Sequence, residues 1–311
     1  MALPALHLLS RAGYSLVLAG RPWARDLLAG LPHTDFIALE GPLRRDAQRL
    51  RTALHSGGKA PGAPYRGICF PDSLSSAMVF RLAGVRAGGY RDDGRSLLLG
   101  WPIGKPKGDL HVVESYHYLA KSVLQRWGHQ ACLSAKPPPT LDLPLTSAHE
   151  RAAATLLERA GLRPQGFVLL SPTATGRHRG RVKAWSHYDE LARALQNEGW
   201  PVAICPPPQE IDAAHQAVPT AQVLGALPLG AFAALTQKAA LVVCNDSGTS
   251  HVAAAAGSRQ ITLFGVTRPE RTGPWSPSAL CLGNDDQWPE PQNVIEHALR
   301  LLAQPQAQAQ G

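Results

Sequence analysis

The residues best placed to do chemistry lie in Asp246-Ser247-Gly248-Thr249-Ser250-His251. They follow an apolar run, Leu241 to Cys244, which reads as a buried strand of a parallel sheet. After them, His251 to Ala256 is alanine-rich and helical, and Gly257 is a natural stop. A strand, a short polar loop and a helix in that order leave unpaired backbone N–H groups at the helix start. Their partial positive charge binds anions, phosphates above all. On chemistry alone two readings stay open: an anion site, or an ordinary α/β unit in which Asp246 or Ser247 caps the first-turn amides. A second polar loop, Ser171-Pro172-Thr173-Ala174-Thr175-Gly176, follows the strand Phe167 to Leu170. Open α/β sheets hold ligands at that carboxyl end. Arg177 to Lys183 then carries four arginines or lysines and one histidine.

The elements that must position these residues alternate between strand and helix along the chain, which predicts an α/β protein. Ala2, Leu6 and Leu9 stand at helical spacing, so the chain opens in a helix ending near Gly13, before a strand at Ser15 to Ala19. Phe36 to Leu39 reads as a strand and residues 43–55 as a basic helix with Arg44, Arg45, Arg49 and Arg51. That cluster is either a solvated face or a contact for anionic lipid or sugar phosphate. Further on, Trp185 to Glu198 reads as a helix, Val202 to Cys205 as a strand, Gln209 to Val218 as a helix and Ile261 to Phe264 as a strand. The proline-rich stretch 137–148 is too stiff for a helix or sheet interior and divides the chain. The expected organisation is a domain over 1–136, the linker 137–148, a second domain over 149–292, a helix at 293–303 and a disordered low-complexity tail at 304–311. Two such halves predict a ligand cleft between them.

At 311 residues, 44% hydrophobic and 17% charged, the chain reads as a soluble globular protein. Its five cysteines, Cys69, Cys132, Cys205, Cys244 and Cys281, are odd in number and include no C-x-x-C pair, which fits a reducing cytosol better than a disulfide framework or a zinc site. The opening residues have neither the basic start nor the cleavage site of a signal peptide. A net charge of +8 suits nucleic acid, an anionic membrane face or phosphorylated substrates. With 6% aromatic residues and no nucleic-acid-reading motif, nucleic acid is the partner set aside.

Asp246-Ser247-Gly248, His251 with the alanines and Gly257, Leu263-Phe264-Gly265, Thr267 and Arg271-Thr272-Gly273-Pro274 together resemble the donor-site motif of the ADP-heptose:lipopolysaccharide heptosyltransferases. The likeness continues into the first half. There Pro71-Asp72-Ser73-Leu74-Ser75-Ser76-Ala77, Gly89-Tyr90-Arg91 through Arg95, and Glu114 to Leu119 match the family's pattern, closer to its second-heptose branch. The resemblance implies a GT-B fold of two Rossmann-like domains facing a central cleft, with nucleotide sugar held by the second and acceptor by the first. It implies heptose transfer from ADP-heptose to the lipopolysaccharide inner core, in the cytoplasm or peripherally on the inner face of the cytoplasmic membrane, with no metal or other cofactor.

A metal-free transfer needs cations and amides for the departing diphosphate, a base for the acceptor hydroxyl and a grip on the sugar. By resemblance Lys183, two residues before Trp185, meets the diphosphate or heptose, and Asp246 orients heptose hydroxyls; these two stand as the catalytic candidates. The donor-binding candidates are Thr173, Thr175, Glu210 (near the ribose), Ser247, Gly248, Thr249 and His251, with Ser73 and Arg95 on the acceptor side. Each has an ordinary alternative: an exposed lysine before a helix, a helix-start glutamate paired with the dipole, a packed core histidine. The family's catalytic aspartate lies in a Gly-Asp pair that would fall before Met1, so no residue here inherits its role. That leaves a second reading, a truncated or non-catalytic relative that binds nucleotide sugar or anionic glycolipid without transfer.

Overall fold

The computed structural model describes residues 1–56, 65–129, 136–174, 176–178 and 180–304. It divides into two compact units: Met1–Arg25 with Leu31–Pro138, and Asp26–Gly30 with Pro139–Gly311. The tail expected from residue 304 lies, from 305 on, outside the described residues, as does Cys132.

The first unit runs α1 (Leu3–Arg11), β1 (Val17–Gly20), the first half of α2 (Ala24–Leu27, whose Asp26 and Leu27 belong to the second unit), β2 (Asp35–Ala38), α3 (Leu43–Ser56), β3 (Tyr65–Cys69), α4 (Leu74–Leu82), β4 (Val85–Tyr90), β5 (Trp101–Ile103) and α5 (Val112–Arg126). β1 pairs with β2, and β3, β4 and β5 pair in that order, all parallel. Among the described residues no strand joins the two sheets. β4 and β5 escape a reading by periodicity because β4 spends Gly88 and Gly89 on close packing. A Cβ at Gly88 would stand 2.4 Å from Val123 of α5. On the other side, α3 buries Ala47, Leu50 and Leu54 against Ile37, Val79 and Val85, and its remaining faces stay polar.

The second unit runs α6 (Ser147–Arg159), β6 (Val168–Ser171), β7 (Arg177–His178), β8 (Arg181–Val182), α7 (Tyr188–Asn197), β9 (Val202–Ile204), α8 (Ile211–Ala217), β10 (Gln222–Val223), α9 (Leu229–Lys238), β11 (Leu241–Asn245), α10 (Gly248–Ala255), β12 (Gln260–Leu263), α11 (Pro269–Thr272), β13 (Ala279–Leu282) and α12 (Pro291–Ala303). Six strands form one parallel sheet in the order β10-β9-β6-β11-β12-β13. Its central strands read as unbroken apolar runs because both faces are covered. Leu241 and Val243 enter one core with Val168, Leu170, Val202 and Ile204, while Val242 enters the other with Phe167, Leu169 and Ala203.

Two helix starts lie three residues from the sequence reading. α7 begins at Tyr188, not Trp185, because Trp185 is drawn into the core: its backbone N–H donates to Asn245 Oδ1 at 3.0 Å and its indole to the Pro289 carbonyl at 2.9 Å. α10 begins three residues before His251, at Gly248, so the polar loop after β11 is only Asp246 and Ser247 long. The antiparallel pair β7–β8, between β6 and α7 with Arg177 opposite Val182 and His178 opposite Arg181, is also new relative to the sequence reading.

Candidate functional site

In a parallel sheet all carboxyl ends share one edge, and the order β9-β6-β11-β12 sets four loops side by side there. The loop after β11 carries Asp246. Its backbone N–H donates to Leu263 O at 3.1 Å, which fixes the residue between β11 and β12. The carboxylate turns away from the helix start. Its Oδ2 accepts from Lys183 Nζ at 3.0 Å and from Thr267 Oγ1 at 2.6 Å. Only 7% of the Asp246 side chain and 20% of Lys183 are exposed. A carboxylate this buried requires such partners.

The start of α10 is accordingly uncapped. Ser247 sits at the N-cap with no side-chain bond to the helix amides, and its Oγ is buried without a partner among the described residues. Gly248 is exposed, and a Cβ there would meet nothing within 4 Å. Neither capping residue named from the sequence therefore performs the cap, and the first-turn amides face an approachable edge of the sheet. Thr249 Oγ1 stands 3.1 Å from Ser171 Oγ at the end of β6. His251 follows on the first turn of α10, half-buried.

The loop after β6 brings Thr173 to Glu210, whose Oε2 accepts from the threonine hydroxyl. Thr173 and Glu210 thus meet across β6 and β9, and Glu210 lies at the end of a short 3-10 turn leading into α8. Thr175 lies outside the described residues.

Two residues that the sequence reading passed over hold these loops together. Asn245, wholly buried at the end of β11, accepts from Trp185 N at 3.0 Å and donates from Nδ2 to Pro172 O at 2.9 Å. It ties the loop after β6 to the segment carrying Lys183. Arg181 donates from Nη2 to Gly265 O at 2.7 Å and from Nη1 to Asp285 O at 3.0 Å, pinning the β7–β8 pair two residues from Lys183. Gly265 must be glycine: a Cβ there would lie 2.1 Å from the Trp288 ring. An asparagine ending an apolar strand was the available signal for the first; the arginine looked like one more charge in a basic stretch.

Burial sets the thiols near the site. Desolvation pushes Cys244 up to about 12 and Cys281 up to about 11, with the Asp246 charge adding to both. Both are protonated near neutrality and do no nucleophilic work there. Among the described residues no group of three or more His, Cys, Asp or Glu side chains is placed to hold a metal ion.

The arrangement sets the buried Lys183–Asp246–Thr267 cluster beside an uncapped helix start at one edge of the sheet. A family profile described as glycosyltransferase family 9 (heptosyltransferase) matches residues 65–302. The chain belongs to this family. It is 30% identical to lipooligosaccharide heptosyltransferase 2 of Haemophilus influenzae, over 84% of this chain and 77% of that one. Its fold is similar to that of the ADP-heptose heptosyltransferase II of E. coli, with TM-score 0.72 and 23% identity over 97% and 94% of the two chains. It is similar also to the E. coli heptosyltransferase WaaC solved with ADP, with TM-score 0.72 and 20% identity over 97% and 95%. The α/β architecture with parallel sheets is the GT-B heptosyltransferase fold.

In the first unit of this heptosyltransferase, Ser73 caps α4, its Oγ accepting from Ser76 N at 3.3 Å, and it is exposed. Arg95 is wholly buried and donates to Pro71 O at 2.9 Å and Cys69 Sγ at 3.4 Å. Its guanidinium braces the turn after β3, so its place is behind the surface and a direct contact to an acceptor is not how it is built. Lys105, exposed nearby, pairs with Asp72 at 2.7 Å and Asp92 at 2.9 Å. The two carboxylates hold its ammonium well above the usual lysine range.

Proposed function

We propose that this heptosyltransferase moves heptose from ADP-heptose to the inner core of lipopolysaccharide, without metal, working peripherally at the inner face of the cytoplasmic membrane. The acceptor hydroxyl oxygen attacks the anomeric carbon, the bond from that carbon to the diphosphate oxygen breaks, and ADP departs with the electron pair while the hydroxyl proton passes to a base. Lys183 and the amides of Gly248 and Thr249 meet the charge that grows on the diphosphate. Asp246 steadies Lys183 and orients heptose hydroxyls, and Glu210 with Thr173 meets the ribose. The observation that carries the donor assignment is the pairing of Asp246 with Lys183 and Thr267 beside an uncapped helix start, a cation and free amides side by side. The relatives' names, which speak of lipooligosaccharide and lipopolysaccharide, and the neighbour solved with ADP support the substrate pair. No helix among the described residues is long and apolar enough to cross a membrane.

Calorimetry in the presence of EDTA tests the donor. ADP and ADP-heptose are expected to bind, and GDP and UDP to bind far more weakly. Equal binding of all three nucleotides, or binding only with added magnesium, refutes the reading.

A further inference from the structure

α3 carries a feature that heptose transfer does not use. Arg44, Gln48, Arg51 and His55 recur at a spacing of four, three and four, which lines them along one face of the helix. With Ala47 and Leu82 of α4 they line a groove of about 710 Å³ within the first unit. Arg44 and Arg51 are exposed, and neither pairs with a carboxylate among the described residues. The acidic groups nearby are already engaged elsewhere. Asp46 is buried and accepts from Glu40 N and Gly41 N, and Glu40 pairs with Arg49. Among the described residues no acid lines the groove.

Helix stability does not explain the arginines. Arg44 and Arg45 stand in the first turn of α3, where the positive end of the helix dipole disfavours cations. From Arg44 to His55 the stripe runs roughly 16 Å along the axis, at about 1.5 Å per residue. That is twice the screening length of about 8 Å at physiological salt, which suits a row of separate anions more than one small phosphate. Leu82, 49% exposed on the groove wall, adds an apolar contact of the kind that enters a headgroup layer.

We propose that the α3–α4 groove binds the headgroup phosphates of an anionic bilayer and seats the enzyme on it. This deepens the reading of a lipid-borne acceptor and rests on it for its purpose, while its test is separate. The full chain is sedimented with vesicles of phosphatidylglycerol and, in parallel, of phosphatidylcholine. Binding is expected to the first only and to fall steeply with salt. Each basic residue near such a surface contributes about five-fold in partitioning, so Arg44→Gln/Arg51→Gln is expected to weaken binding about 30-fold. ADP binding and transfer to a detergent-dispersed acceptor should stay unchanged. Arg44→Glu/Arg51→Glu should abolish sedimentation; if that pair fails to fold, the neutral pair decides. Wild-type binding by the neutral pair, equal binding to phosphatidylcholine, or full displacement by millimolar inorganic phosphate overturns the proposal. Loss of vesicle binding with transfer intact would confirm the groove as a seat. Vesicle binding without any transfer by the wild type would sink the functional reading and leave the groove standing.

Discussion

Lys183→Met and Asp246→Asn form a cycle whose outcome follows from one oxygen atom. Asp246 Oδ2 takes both the Lys183 ammonium, at 3.0 Å, and the Thr267 hydroxyl, at 2.6 Å. Replacing Lys183 by methionine keeps the apolar stem but leaves the carboxylate, 7% exposed, with one neutral donor. Breaking a fully buried pair costs about 3–5 kcal/mol. Lys183 is one-fifth exposed, so water reaches part of the site and the expected loss is about 2–3 kcal/mol. Asp246→Asn leaves the lysine a path to solvent and should lose about 1–2 kcal/mol. In the double variant neither charge is stranded, so the total should fall short of the sum by about 1–2 kcal/mol. Hydrogen exchange across residues 241–256 at rising urea reads the second unit directly. The same proteins in calorimetry should show ADP binding weakened roughly 10- to 100-fold by Lys183→Met, the loss of one charge-assisted contact. If Asp246 orients the sugar as proposed, Asp246→Asn should weaken ADP-heptose more than ADP. Stability losses that add within about 0.5 kcal/mol, or ADP binding untouched by Lys183→Met, would refute the reasoning.

Asn245→Leu should destabilise the second unit by about 2–4 kcal/mol and weaken ADP binding, because the Trp185 amide and Pro172 carbonyl lose a buried partner; urea unfolding with wild-type stability would contradict this. Arg181→Ala should raise KM for the donor with a smaller change in kcat, and Arg181→Lys should recover part of it; equal effects of both on kcat alone would remove its positioning role. Gly265→Ala should cost roughly 1–3 kcal/mol or more, since its methyl would enter the Trp288 ring, read as a lowered melting temperature. Cys244 has its pKa raised by burial from 9.0 to about 12, so its contribution is fully present below about pH 9 and lost as pH climbs toward 12. The urea midpoint should therefore fall through that window, and Cys244→Ala should flatten the fall; parallel slopes in both proteins would argue against it.

What could be read from the sequence were the features that depend on neighbours along the chain. The apolar run at Leu241 specifies a strand covered on both faces, and residues 43–55 specify a helix with a basic exterior, because periodicity and burial follow from local spacing. The polar loop after that strand marked an anion site or a cap with equal force, since Asp246 and Ser247 suit either. Only the folded chain removed the cap, since Ser247 makes no side-chain bond to the helix amides. Lys183 and Thr267 arrive from the segments after β8 and β12, 63 and 21 residues away in sequence (246 − 183 and 267 − 246), and the buried carboxylate satisfies its charge on them instead of on the helix amides. The same reason hid Asn245 and Arg181, whose partners lie 60 to 104 residues away. It also misplaced Arg95, where the resemblance implied an acceptor-side contact and the packing behind Pro71 took the guanidinium inside. Helices and strands follow local spacing, whereas the partner of a buried polar group depends on which strand ends the sheet order sets side by side.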